Sequence, residues 1–193
     1  MKKRFNLLQV LGVLLVLGSC AALFGSEIMA QRNAAAAEAL TTQLVSRLPA
    51  PVEGDPESYS DPAMPVLQLN GEDFSGLVRV PAFGVTLPIG NDWNTTNLSQ
   101  YPCRFWGSAY DHSLIIGGSG QKGQFDFCTK LDLGNQILIT DMAGAEFSYE
   151  VMRIDRREHT DMDTFLETDC DLILFARDTA SKSYIIVRCQ FAA

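Results

Sequence analysis

Leu114-Ile115-Ile116-Gly117-Gly118-Ser119-Gly120 and Leu172-Ile173-Leu174-Phe175-Ala176-Arg177 are the two stretches that decide the fold. Each is a short, unbroken apolar run that stops at a polar residue, the pattern of a strand buried on both faces. A third run, Tyr184-Ile185-Ile186-Val187-Arg188-Cys189, comes soon after the second. These three give strands over 113–117, 171–175 and 184–189. Around them, 66–69, 76–80, 84–88, 136–141 and 146–154 carry the same short apolar or alternating pattern between turn residues. Eight short strands over about 125 residues predict an all-β domain, a closed or nearly closed β-barrel. Ala143-Gly144 reads as a hairpin turn, and 155–169 as a long charged connection with a helical turn near 163–167.

Upstream, the composition changes three times. Leu7 to Phe24 is one apolar run broken only by Gln9 and preceded by Met-Lys-Lys-Arg. It is just long enough to span a bilayer, and its flanking charge keeps the N-terminus inside and exports the remainder of the chain. A retained signal anchor over 1–26 is the expectation. A cleaved signal, with Ser19 and Ala21 at a small-residue site, and a lipoprotein signal at Leu17-Gly18-Ser19-Cys20 stay open, and all three export the domain. Residues 27–48 turn alanine-rich with Leu40, Leu44 and Leu48 at helical spacing, which predicts a helical stalk ending before Pro49. The narrow stripe suits a stalk that packs weakly or pairs with a partner helix, and against this a solvated stem that continues the membrane helix is the expectation. Five prolines within the acidic stretch 49–65 predict an extended linker rather than core. The barrel is expected to occupy 66–193.

The chain has 193 residues, 47% of them apolar, which supplies one core. Its formal charge is -8, although Lys2, Lys3 and Arg4 stand among the first four residues, so the remainder is more acidic still. Nucleic acid is therefore a poor partner by long-range attraction. Cys20, Cys103, Cys128, Cys170 and Cys189 lie far apart without C-x-x-C or Cys/His metal spacing. No metal and no cofactor is expected, and a disulfide among the last four cysteines stays open.

Several stretches are similar to the sortases, the cysteine transpeptidases that attach proteins to Gram-positive cell walls. Gly76-Leu77-Val78-Arg79-Val80-Pro81 with Thr86-Leu87-Pro88-Ile89 resembles the opening pair of sortase strands. Ser113 to Phe125 resembles the segment that carries the family's His, with Ser119 in its place. Leu133-Gly134-Asn135-Gln136-Ile137 and the Phe147, Tyr149, Val151 strand resemble the middle of the domain. Ile173 to Arg177 resembles the motif of the catalytic Cys, with Arg177 at the nucleophile. The terminal Arg motif places Tyr184 at the catalytic Arg and keeps Arg188 as the second Arg. The resemblance is to a class B/D-like member that lacks the triad.

The family's reaction needs a thiolate, an imidazole and an Arg for the oxyanion. Arg177 cannot be a nucleophile, because a guanidinium stays protonated. His112 and Cys170 each lie seven residues before Ser119 and Arg177, about 20 Å away along an extended strand. Ser119 with Lys122 requires a desolvated lysine, Cys128 reads as a structural thiol, and Asp155, Glu158, Asp161 and Asp163 read as a solvated acidic loop rather than a calcium site. The expectation is a membrane-tethered surface protein without sortase chemistry. It would bind a sorting-signal peptide, an active sortase or another protein in a cleft marked by Ser119, Arg177 and Tyr184. Arg177 could instead snorkel to water or pair with Asp178. Two rivals remain: a divergent active sortase and a purely structural surface domain.

Overall fold

In the computed structural model, residues 32, 35–158, 169–178 and 181–192 are described. Helix α1 covers 35–45. The strands are β1 Val52–Glu53, β2 Leu67–Leu69, β3 Glu72–Val80, β4 Val85–Gly90, β5 Cys103–Trp106, β6 Leu114–Ser119, β7 Gln136–Asp141, β8 Ala145–Arg157, β9 Leu172–Arg177 and β10 Tyr184–Phe191. A one-turn helix α2, Thr95–Leu98, stands between β4 and β5, capped by the Asn94 side chain. Three 3-10 turns, Pro56–Ser58, Pro81–Phe83 and Phe125–Thr129, complete the elements.

Pairing closes the sheet. The ring runs β3-β4-β5-β6-β9-β10-β8-β7 and returns to β3, because β7 pairs both β8 and β3. Two neighbours are parallel, β4 with β5 through the single Gly90–Cys103 bridge and β6 with β9 over six residues. Closure leaves no free edge in the ring. Alternate side chains point inward and form the main core, among them Val78, Ile89, Ile116, Ile139, Phe147, Leu174 and Val187. Phe125, Phe127 and Cys128 of the third 3-10 turn are buried with them.

Strands β6 and β9 read as unbroken apolar runs for a physical reason. Their outward side chains are covered too: Ile115, Ile173, Phe175 and Ile186 make a second buried cluster against Phe105 and Cys170. The β7–β8 hairpin turns where expected. Gly144 takes a positive φ of 89°, and the Asp141 carboxylate accepts the Ala143 and Ala145 N–H groups at 2.8 Å each. The Tyr110 hydroxyl donates to the other Asp141 oxygen at 2.5 Å, and the Tyr110 ring stacks on Tyr59 at 3.7 Å.

Several expectations are corrected. The ring does contain eight strands, but 66–69 is not among them: β2 pairs only β3. Its place is taken by β5, which has a register shift between Arg104 and Trp106 and hence no period-two pattern to read. Segment 49–65 is extended on either side of the Pro56–Ser58 turn but is not a free linker. Val52 and Glu53 pair with Ala145 and Glu146, Pro56 is buried, and Met64 joins the main core. The end of the expected stalk is likewise packed. Leu44 is fully buried with Leu69, Phe74, Leu77, Tyr101 and Met142, and Leu40 and Leu48 flank it. Burying a leucine stripe against apolar surface lowers free energy more than leaving it in water, so the helix docks. Among the described residues no helix is long and apolar enough to cross a membrane, and the run 7–24 lies outside them. The helical turn expected near 163–167 also lies outside them.

Candidate functional site

Strand register determines what lies at each rim. Ser119 is the parallel partner of Arg177, and Arg177 is the antiparallel partner of Tyr184. Tyr184 is in turn the partner of Arg157 on β8. Directly paired residues share a face, so the four side chains form one row across β6, β9, β10 and β8. At about 4.8 Å per strand the row spans roughly 14 Å. It belongs to the outward face, because Phe175 and Ile186, two residues further along β9 and β10, lie in the outer cluster. Arg177 and Arg157 are exposed, and Ser119 and Tyr184 half-buried.

Two glycines hold this end together. A Cβ on Gly120 would meet the Arg177 carbonyl oxygen at 2.1 Å, so only glycine lets the chain leave β6 against the end of β9. A Cβ on Gly117 would meet the rings of Phe175 and Trp93 at 2.5 Å each. Trp93 therefore lies over β6 just below the row. It packs on Phe105 at 4.9 Å and on Phe175 at 5.5 Å, and Phe105 meets Phe175 edge-on at 5.6 Å. These aromatic rings occupy the face beneath Ser119 and Arg177.

The charges around the row sort into paired and unpaired. Arg156 faces Asp178 at 3.8 Å, and the Ser181 hydroxyl donates to the same Asp178 oxygen at 2.7 Å. Arg153 and Arg188 both donate to Asp155, at 2.9 and 3.1 Å. Burial works to raise the Asp155 carboxyl, but hydrogen bonds from Arg153 and Arg188 outweigh it and hold the group below its ordinary range. Arg188 thus ties β10 to β8. Among the described residues no hydrogen bond or ion pair of Arg157 or Arg177 is seen, and Asp178, the alternative partner for Arg177, faces Arg156. Sequence reasoning misses Arg157. Its place in the row comes from the β8–β10 register, which a sequence does not display.

The other candidates fall elsewhere. The Ser119 hydroxyl oxygen accepts the Gln121 N–H at 3.3 Å and makes no bond to Lys122 among the described residues. All four described cysteines are free thiols. Cys128 and Cys189 face the core, and burial pushes both thiols well up from their ordinary value. Burial also pushes Cys103 up to about 12. Cys170 and His112 stand at the starts of β9 and β6, at the opposite rim from Ser119 and Arg177. There His112 Nδ1 lies 3.4 Å from Asp171. His159, Asp161 and Asp163 lie outside the described residues. Among those described, no three His, Cys, Asp or Glu side chains are grouped to hold a metal ion.

No family model matches this chain, and no curated protein does. Solved structures do. Sortase A from Corynebacterium diphtheriae superposes with a TM-score of 0.56 at 19% identity, covering 85% of this chain and 84% of that one. Sortase C1 from Streptococcus agalactiae gives 0.55 at 18% identity, covering 66% and 72%. Clostridium perfringens sortase C, solved with its C-terminal cell wall sorting motif, gives 0.54 at 17% identity, covering 63% and 72%. At such identities the likeness defines the fold. The chain has a sortase-like β-barrel.

Proposed function

We propose that this chain is an exported, membrane-tethered protein of sortase-like fold without transpeptidase chemistry, which holds a peptide or protein partner at the Ser119–Arg177–Tyr184 rim. The composition of that row carries the reading. Two guanidiniums without a partner among the described residues, a phenol and a hydroxyl stand in register, while the described thiols and the one described imidazole stand elsewhere. A guanidinium presents forked donors that fit a carboxylate or a peptide carbonyl. It cannot attack an acyl carbon, and among the described residues Ser119 hydrogen-bonds only the Gln121 N–H and no base. The raised Cys128 and Cys189 thiols also count against a divergent cysteine enzyme, since the thiolate is the reactive form.

The partner class is an extended peptide of sorting-signal type or the protein that bears it. A sorting motif accompanies one structural neighbour of the same fold. One observation favours the structural rival: Trp93, Phe105 and Phe175 already fill the face below the row. The two readings separate in a binding titration of the full chain in detergent with a sorting-signal peptide. The proposal expects saturable binding that weakens at least about tenfold in Arg177→Ala and in Arg157→Ala, a change of about 1.4 kcal/mol. Absence of saturable binding favours the structural domain. Equal affinity in both variants places the ligand elsewhere.

A further inference from the structure

A groove of about 510 Å³ is lined by residues 61–63, by 91–93 just after β4, and by β5 with the loop that leads to β6. It shares no side chain with the rim row, although Trp93 and Phe105, which pack beneath that row, also line it. Trp93 and Trp106 line it, 41% and 61% exposed, and they are the only tryptophans in the chain. Two half-open indoles lining one groove make an aromatic surface that a ligand can cover. Three carboxylates, Asp61, Asp92 and Asp111, line the same groove. Each uses one oxygen locally: Asp61 accepts the Ala63 N–H at 2.9 Å, Asp92 the Asn91 amide at 3.4 Å, and Asp111 the Ser113 hydroxyl. Among the described residues the second oxygen of each makes no hydrogen bond. One guanidinium, Arg104, lines the groove as well, and it is committed to Asn91 Oδ1 at 2.8 Å. Three acids against one base leave this groove negative on a chain whose formal charge is already -8.

Open indole faces attract cations, and free carboxylate oxygens take the N–H donors of an ammonium or guanidinium. A phosphate, a nucleic acid or an acidic peptide would meet repulsion here. We propose that this groove binds a basic peptide segment, with Lys or Arg side chains laid on Trp93 and Trp106 and their charged heads distributed among Asp61, Asp92 and Asp111. The volume is in the range of peptide side-chain and small-molecule sites. The segment approaches along the flank of the barrel. The site is independent of the rim and does not rest on the function proposed above.

Both tryptophans lie in the groove, so native fluorescence reads it directly. The full chain in detergent is titrated with a blocked trilysine peptide and with its triacetylated counterpart. The expected result is a saturable change in tryptophan emission with trilysine, none with the acetylated peptide, and an affinity that falls steeply with added salt. Asp92→Asn with Asp111→Asn should weaken binding at least about tenfold. Both side chains are exposed, so the fold is retained, and an unchanged melting temperature checks this. Trp106→Ala should weaken binding while leaving the Trp93 signal. Arg177→Ala should leave trilysine binding unchanged, which separates failure of this proposal from failure of the rim reading. Equal response to the acetylated peptide, no saturation, or full affinity in the double Asn variant overturns it.

Discussion

The two ends of β6 and β9 make an instructive pair. At the starts of these parallel strands stand His112 and Cys170, an imidazole and a thiol, with Asp171 against the imidazole. At their ends stand Ser119 and Arg177, joined across the sheet by Tyr184 and Arg157. The strands themselves are the same apolar scaffold from end to end, with their outward side chains buried as well as their inward ones. Packing therefore dictates the strands and leaves the terminal residues free to vary.

The first way to sharpen this contrast is with a thiol. Arg177→Cys should react with a maleimide about 100-fold faster than Cys128 or Cys189, because exposure and thiolate fraction both favour the rim. Mass mapping after timed quenching checks the site. Rapid labelling of Cys128 or Cys189 in the folded parent chain would break the contrast.

Next in size is the joint between the two strand ends. Gly120→Ala places a methyl 2.1 Å from the Arg177 carbonyl oxygen, and the strand ends must part to admit it. A loss of about 1–3 kcal/mol in denaturant unfolding is expected. Arg177→Ala removes an exposed side chain without a partner among the described residues, so stability should stay within about 0.5 kcal/mol. Equal destabilisation by both substitutions would mean that Arg177 is part of the scaffold.

The smallest effect is electrostatic. Asp155 has a folded-state pKa below its unfolded value, so its contribution is present above the unfolded value of about 3.9 and is lost as pH falls through the folded one. Asp155→Asn should remove that acid limb and change stability at neutral pH by about 1 kcal/mol or less, since the group is partly exposed. Urea midpoints measured between pH 2 and 7 test it, and an unchanged acid limb would contradict the Arg153–Asp155–Arg188 arrangement.

Legibility in the sequence obeys the same physics. The central strands β6, β9 and β10 can be read because they are short, apolar and ended by turn residues. Strand β5 cannot, since its bulge destroys the alternation and Gly90–Cys103 is its only tie to β4. The leucines at 40, 44 and 48 are visible, but their receivers Phe74, Leu77 and Tyr101 are distant in sequence, so a docked helix reads as a stem. Motif spacing finds Ser119, Arg177 and Tyr184. It does not find Arg157, whose place depends on a strand register set by the whole β8–β10 ladder. The tryptophan groove is hidden for the same reason: its walls come from 61–63, 91–93 and 104–113.

The most direct test is to incubate the full chain in detergent with a sorting-signal peptide and an amine acceptor, and to record intact masses of protein and peptide over time. The proposed rim, without thiol or base among the described residues, predicts an unmodified protein and an uncut peptide at concentrations where binding is saturated. A cleaved peptide, or an acyl adduct on any side chain of this protein, would contradict it.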